Sequence, residues 1–414
     1  MRIVQIGWRS YRVPFRGSFA TAHGSTPARE GIIVQVTTDG GITGNGEIAP
    51  LPSFSKESLQ DALELLPTLA ARLSSKTLDE ALNLIPTREQ TSTNQSYEGM
   101  KIPEGTRKEM PLQAASYGRG IPLRVPSGDK TSDKISSTHF GLETALLDAL
   151  GKAQGLGLSS LLTPPGFTPR KKVPVNAVIG AKSLDGAIAE ARAAVHKGFA
   201  CVKLKVGMGR SITEEVERVA AIREVIGPAT RLRLDANEAW SLEQAIAILS
   251  GCLPYEIQYV EQPLKADDLA GMGQLRQAVP LLIAVDETVR DIESAQRILD
   301  SEVADILVIK PQLAGGLRMA QQIIQLAAQR GVSSVITSTL ETGIGVAAAL
   351  HLAAASPTII LECGLATLDK LEDDLIEEGL AVIDGQMTVP TGPGLGVSLD
   401  EAALRRYTIR EESY

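Results

Sequence analysis

Residues 201–206 read Cys201-Val202-Lys203-Leu204-Lys205-Val206. Side chains alternate along an extended strand, so Val202, Leu204 and Val206 share one face and the two lysines share the other. The apolar face must pack on helices. Lysine is almost never buried without a partner, so the opposite face must meet groups that answer two ammonium charges. Short apolar runs recur at 173–179, 201–206, 232–235, 257–261, 281–286, 306–310, 334–338 and 358–363. Helical stretches such as 184–197, 212–226 and 242–249 lie between them. Eight strands alternating with helices every 25 to 30 residues or so, roughly one strand-helix unit, predict an α/β fold with a closed parallel barrel. A doubly wound open sheet is the rival, and the count of eight favours the barrel.

The ends of these runs carry the chemistry. The third run ends Arg233-Leu-Asp235-Ala-Asn237, the fourth Val260-Glu261-Gln262-Pro263, the fifth Val285-Asp286-Glu287 and the sixth Ile309-Lys310-Pro311. Asp235, Glu261, Asp286 and Lys310 follow one another at 26, 25 and 24 residues, one unit each. They are expected at the C-terminal face, where barrel active sites form. A single acid at a strand end can simply cap the next helix. Three in phase converge, and they repel each other unless a cation sits among them. All-oxygen ligation selects a hard ion: Mg²⁺, with Mn²⁺ as a substitute. Asp235, Glu261 and Asp286 are therefore the expected metal ligands.

The sixth strand of a barrel faces the second across its axis. Lys203 and Lys205 then flank the acids on one side and Lys310 on the other. A free lysine has a pKa near 10.4. Burial beside a cation and a second ammonium is expected to bring it down to roughly 7 to 8, where it can act as a base. The cation would stabilise the anion left behind.

Upstream, 31–38 and 42–48 read as strands around an Asp39-Gly40-Gly41 turn, and 55–74 reads as a helix. Residues 87–138 are rich in Thr, Ser, Gln, Gly, Pro and Lys and predict an irregular insertion. A helix is expected over 139–155. The tail from 371 leaves the repeat, and its Gly392-Pro-Gly-Leu-Gly396 lacks the flanking strand and helix of a phosphate loop. The tail is expected to pack back on the N-terminal segment. The expected domains are 1–135, a barrel over 136–370, and a tail over 371–414.

Of the 414 residues, 43% are hydrophobic and 22% charged, which suits a soluble globular chain. A net charge of −8 argues against a nucleic-acid partner. No apolar run is long enough to predict a membrane span, and no secretory signal opens the chain. Three widely spaced cysteines suit a reducing cytoplasm. The four histidines form no close metal pair, and neither a G-x-S-x-G elbow nor a Walker A loop is present.

The set Lys203-Leu-Lys205, Asp235-Ala-Asn237, Glu261-Gln-Pro263, Asp286-Glu287 and Lys310-Pro311 resembles the enolase superfamily, specifically its muconate-lactonising subgroup. Four further segments are similar to the o-succinylbenzoate synthases: 46–58, 140–148, 339–345 and 363–369. The resemblance implies a modified TIM barrel, (β/α)7β-like, with an α+β capping domain formed by the N-terminal segment and the C-terminal tail. It implies a small carboxylate substrate and syn loss of water, with Lys205 as base, Lys310 stabilising the anion and Lys203 assisting by charge. Asn237 and Glu287 would support these groups from behind. Phe15, Thr21 and Arg29 of the cap, with Ser338, Thr339, Glu341, Gly343 and Gly364, are the candidate substrate contacts. Arg29 is equally read as a domain-interface ion pair. Dipeptide epimerisation and N-acylamino acid racemisation are the rival reactions, a non-catalytic barrel the remote one. Self-association into a homo-oligomer is compatible with the resemblance.

Overall fold

The computed structural model describes residues 1–21, 24–52, 54–85 and 135–414. Apolar alternation draws the N-terminal segment into β1 (Ile3–Thr21), β2 (Gly24–Thr38) and β3 (Thr43–Ile48). The tail returns as β14 (Thr408–Ser413), giving an antiparallel sheet in the order β14-β1-β2-β3. Helices α1 (Leu59–Leu73) and α2 (Leu78–Leu84) open on capping boxes, Ser58 with Asp61 and Thr77 with Glu80.

Helix α3 (Ser136–Gln154) lies against β3. A Cβ on Gly44 or Gly46 would fall 2.0 or 1.9 Å from an α3 carbonyl, so only glycine allows this approach. Ser136–Thr138, read from sequence as the end of the insertion, form the buried first turn of α3. The rest of that insertion, from 87 to 134, lies outside the described residues. Gly392–Gly396 is a docking turn: Leu395 N donates to Asp148 of α3 at 2.7 Å.

After the short α4 (Leu158–Leu162), the run read as 173–179 splits. β4 (Lys172–Pro174) joins β13 (Gln386–Thr388) and β12 (Val382–Ile383) in a small sheet. β5 (Ala177–Ile179) begins the barrel. The alternation continues as α5 (Leu184–His196), β6 (Cys201–Lys205), α6 (Ile212–Ile226), β7 (Arg231–Asp235), α7 (Leu242–Cys252), β8 (Ile257–Glu261) and α8 (Leu269–Ala278). It ends as β9 (Ile283–Val285), α9 (Ile292–Asp300), β10 (Ile306–Ile309), α10 (Pro311–Ala314), α11 (Leu317–Gln329), β11 (Ser333–Ile336) and α12 (Gly343–Ala355). The seven strands from β5 to β11 pair in parallel, each with the next.

The eighth run forms no strand. It closes the barrel through bridges from Cys363 to Val175 and from Gly364 to Thr337. Two carbonyls that a ladder would use are taken by arginines instead: Ile359 O by Arg170 at 2.6 Å and Glu362 O by Arg233 at 2.7 Å. Gly364 is thus spent on closure, and a Cβ there would meet Thr337 at 2.7 Å.

Three buried glutamates cap helices far away in sequence. Glu57 accepts from Ser137 N and Thr138 N at the start of α3, at 2.7 and 3.2 Å. Glu143 accepts from Leu317 N and Arg318 N at the start of α11. Glu47 accepts from Thr342 N and Gly345 N at the start of α12, both at 2.8 Å. Each satisfies N–H groups that have no partner within their own helix. Burial pushes Glu57 up to about 7, against hydrogen bonds that favour its charged form. A raised folded-state pKa gives stability that is complete below the unfolded value of 4.5 and is lost as pH rises through about 7. The loss is on the order of 3 kcal/mol. In Glu57→Gln the pH slope of stability, measured by denaturant midpoints, is expected to flatten between pH 5 and 8. An unchanged slope would contradict the assignment.

Candidate active site

The barrel's C-terminal mouth collects the ends of β6 to β10. Lys203 and Lys205 project inward from β6, as their alternation requires. Lys203 Nζ lies 2.9 Å from Asp235 and 2.8 Å from Glu261. Lys205 Nζ donates to Asp235 at 2.7 Å and to Asn237 Oδ1 at 2.6 Å. Across the mouth, Lys310 pairs with Asp286. Asn237 Nδ2 donates to Glu287 Oε1 at 2.9 Å, so Asn237 stands between Lys205 and Glu287. All eight residues come together as the spacing requires.

Burial and neighbouring charge compete at these groups. Burial works to lower Lys203, but Asp235 and Glu261 outweigh it and hold the ammonium well above its ordinary value. Burial likewise opposes charge on Lys310, and Asp286 and Glu287 raise it. Burial would raise Asp235, yet Lys203 and Lys205 keep it well below the carboxylate range. Glu261 is pushed up to about 7, by burial first and then by the charge of Asp235. Burial, then Asp286, push Glu287 up to about 8.

Glu261 Oε2 and Glu287 Oε2 are buried and, among the described residues, accept no hydrogen bond. An orphaned carboxylate oxygen near two further acids, Asp235 and Asp286, has the donor chemistry that a hard cation takes. In the present arrangement the lysines occupy these acids. Among the described residues, no three His, Cys, Asp or Glu side chains are grouped closely enough to surround one ion.

The loops at the mouth are strained. Asn237, Glu238, Gln262 and Leu340 have φ of 43°, 66°, 40° and 64°, unusual for residues other than glycine. Gln262, which the sequence reading passed over, is fully buried. Its Oε1 accepts from Asp286 N at 2.9 Å and from Thr288 Oγ1 at 3.1 Å, which orients the β9 end. Phe54, from the cap segment after β3, covers Lys310 with its ring centroid 4.9 Å from Nζ. No local pattern marks Phe54; only folding brings it to Lys310. Two surface clefts lie away from the mouth, one over Trp8 and Arg9 on the antiparallel sheet and one beside Pro280 at the opposite end of the barrel.

The candidate substrate contacts divide. Ser338 Oγ shares a hydrogen bond with Thr367 Oγ1 at 2.8 Å. Thr339 is bound to Glu341 through its N–H at 2.7 Å and through its hydroxyl at 2.5 Å. Burial raises Glu341. Gly343 N donates to Asp374 at 2.6 Å, which helps cap α12. Phe15 is buried and bridges Leu371 through its backbone. The side chain of Thr21 lies outside the described residues. The guanidinium of Arg29 is buried and donates to four main-chain carbonyls, those of Leu340, Glu30, Pro50 and Ala49.

Comparison with known proteins places this geometry. Residues 186–403 match the family described as Enolase C-terminal domain-like, and residues 1–88 match MenC, N-terminal domain. An o-succinylbenzoate synthase of Thermobifida fusca (strain YX) is 38% identical over 221 residues, 53% of this chain and 67% of that protein. Muconate cycloisomerase 1-1 of Acinetobacter lwoffii is 32% identical, over 66% and 72% of the two chains. L-Ala-D/L-Glu epimerase of Bacillus subtilis is 28% identical, over 96% and 97%. Among solved structures, an N-succinyl Arg/Lys racemase from Bacillus cereus superposes with a TM-score of 0.82 at 22% identity, over 100% of both chains. A dipeptide epimerase from Enterococcus faecalis, complexed with Mg and the dipeptide L-Leu-L-Tyr, gives a TM-score of 0.79 at 25% identity, over 96% and 100%.

Proposed function

Because this chain belongs to the enolase superfamily, within its muconate-lactonising subgroup, we propose that it is an o-succinylbenzoate synthase. The reaction is loss of water from 2-succinyl-6-hydroxy-2,4-cyclohexadiene-1-carboxylate, giving an aromatic ring in menaquinone or phylloquinone synthesis. The observation that carries the proposal is the opposed pair Lys205 and Lys310 across three buried acids. The match of residues 1–88 to the MenC N-terminal domain supports the synthase over its subgroup neighbours.

Lys205 removes the proton α to the ring carboxylate and returns it to the departing hydroxyl on the same face. One C–H and one C–O bond break, a ring double bond forms, and water leaves. Lys310 stabilises the anion from the opposite side, and Lys203 adds positive charge. Asn237 aims Lys205 through its 2.6 Å hydrogen bond. Asp235, Glu261 and Asp286 would hold Mg²⁺, which when bound supplies positive charge to a substrate carboxylate.

The test is incubation with the cyclohexadiene and Mg²⁺, followed by ultraviolet absorbance of the aromatic product. Absence of product removes the synthase reading. Mg²⁺ at a hundred times its Kd is expected to raise Tm by about 2–4 °C, and EDTA to reverse the shift. No shift would argue against the metal ligands named above. The second reading is 1,1-proton transfer, favoured by the epimerase relative that spans 96% of this chain. It requires both Lys205 and Lys310 to act as bases, so solvent deuterium would enter a racemising substrate and either lysine variant would stop it.

The three cysteines are free and buried, which suits a reducing cytoplasm. Among the described residues, no helix is long and apolar enough to cross a membrane.

A further inference from the structure

Arg29 stands where two walls of the barrel mouth meet. It lies on β2 of the cap and is 2% exposed. Its Nε donates to Leu340 O at 3.0 Å, its Nη1 to Pro50 O at 2.8 Å, and its Nη2 to Ala49 O. Leu340 belongs to the loop between β11 and α12 that carries Ser338, Thr339 and Glu341. Ala49 and Pro50 open the segment that sets Phe54 over Lys310.

The first loop needs holding. Leu340 has φ of 64°, which a leucine adopts only at a cost. Its carbonyl is taken by Arg29, and its N–H by Ser338 Oγ at 3.3 Å. A guanidinium carries five donors in a rigid plane and can grip carbonyls from two segments at once. An ammonium keeps the charge and loses that fork.

We propose that Arg29 is a positioning residue that keeps the loop of Ser338 to Glu341 and the Phe54 segment in register over the lysines. The effect on turnover rests on the functional reading above; the effect on the loops does not.

The test is hydrogen exchange by mass spectrometry, without substrate, on wild type, Arg29→Lys and Arg29→Lys with Leu340→Gly. In Arg29→Lys, peptides covering 338–345 and 49–55 are expected to exchange together about tenfold faster, with β6 to β8 unchanged. Glycine tolerates the Leu340 conformation, so the double variant is expected to recover protection at 338–345 but not at 49–55. With an active substrate, kcat of Arg29→Lys is expected to fall about tenfold to a hundredfold and to recover in part in the double variant. Unchanged exchange in either loop overturns the proposal. So does a rise spread evenly over the barrel, which would mean an ordinary stabilising role. If Arg29→Lys does not fold, Arg29→Gln keeps a planar donor and is read by the same criteria. Because the exchange needs no substrate, failure of the synthase reading leaves this result interpretable.

Discussion

Lys205→Ala is expected to lower the rate of proton abstraction by about 10²- to 10⁴-fold, the range a positioned general base supplies. Stability should change little, because Asp235 keeps Lys203 as a partner at 2.9 Å and the Lys205 side chain is 29% exposed. Loss of activity with Tm preserved therefore separates a chemical role from a structural one. The measurement is dehydration followed by ultraviolet absorbance, paired with a thermal melt. Lys310→Arg is the companion variant. It keeps a cation opposite Lys205, so under the synthase reading it retains much more activity than Lys205→Ala. Equal losses would favour the two-base reaction. Turnover within tenfold of wild type in Lys205→Ala would remove Lys205 as the base.

The largest expected effect on stability comes from Glu47→Ala, a residue given no individual role in the sequence-based reading. Glu47 is fully buried on β3. It accepts from the Tyr11 hydroxyl, from Thr342 N and Oγ1, both at 2.8 Å, and from Gly345 N at 2.8 Å. Alanine would strand all four donors at the seam between sheet and barrel. Leaving buried partners uncompensated costs about 3–5 kcal/mol. With an unfolding entropy of roughly 2 cal/mol/K per residue, that lowers Tm by about 4–6 °C. Glu47→Gln keeps one acceptor oxygen and should lose less. A melting point unchanged in Glu47→Ala would show that the seam does not depend on this carboxylate.

The barrel and its site were legible for a physical reason. Successive side chains of a strand point to opposite faces, so Lys203 and Lys205 declare a shared face within six residues. Asp235, Glu261, Asp286 and Lys310 declare themselves by phase, since each unit repeats the same length and delivers its last residue to the same rim. The protonation of Lys203 and Lys310 was not legible in the same way. Sequence names the acids near Lys203 and Lys310, but the balance between burial and carboxylate charge depends on distances.

Sequence by itself therefore determined the parallel repeat, the inward face of β6 and the gathering of acids and lysines at one mouth, because each follows from local periodicity. The tertiary structure alone decided how the barrel closes and how the cap is fastened to it. Ile359 and Glu362 give their carbonyls to arginines in place of a strand ladder. Glu47 caps a helix whose N-cap residue, Thr342, lies 295 residues later. Arg29, a candidate ligand by sequence, grips main-chain carbonyls in two loops. A buried donor or acceptor must find some partner, but no periodicity says which one when that partner lies hundreds of residues away.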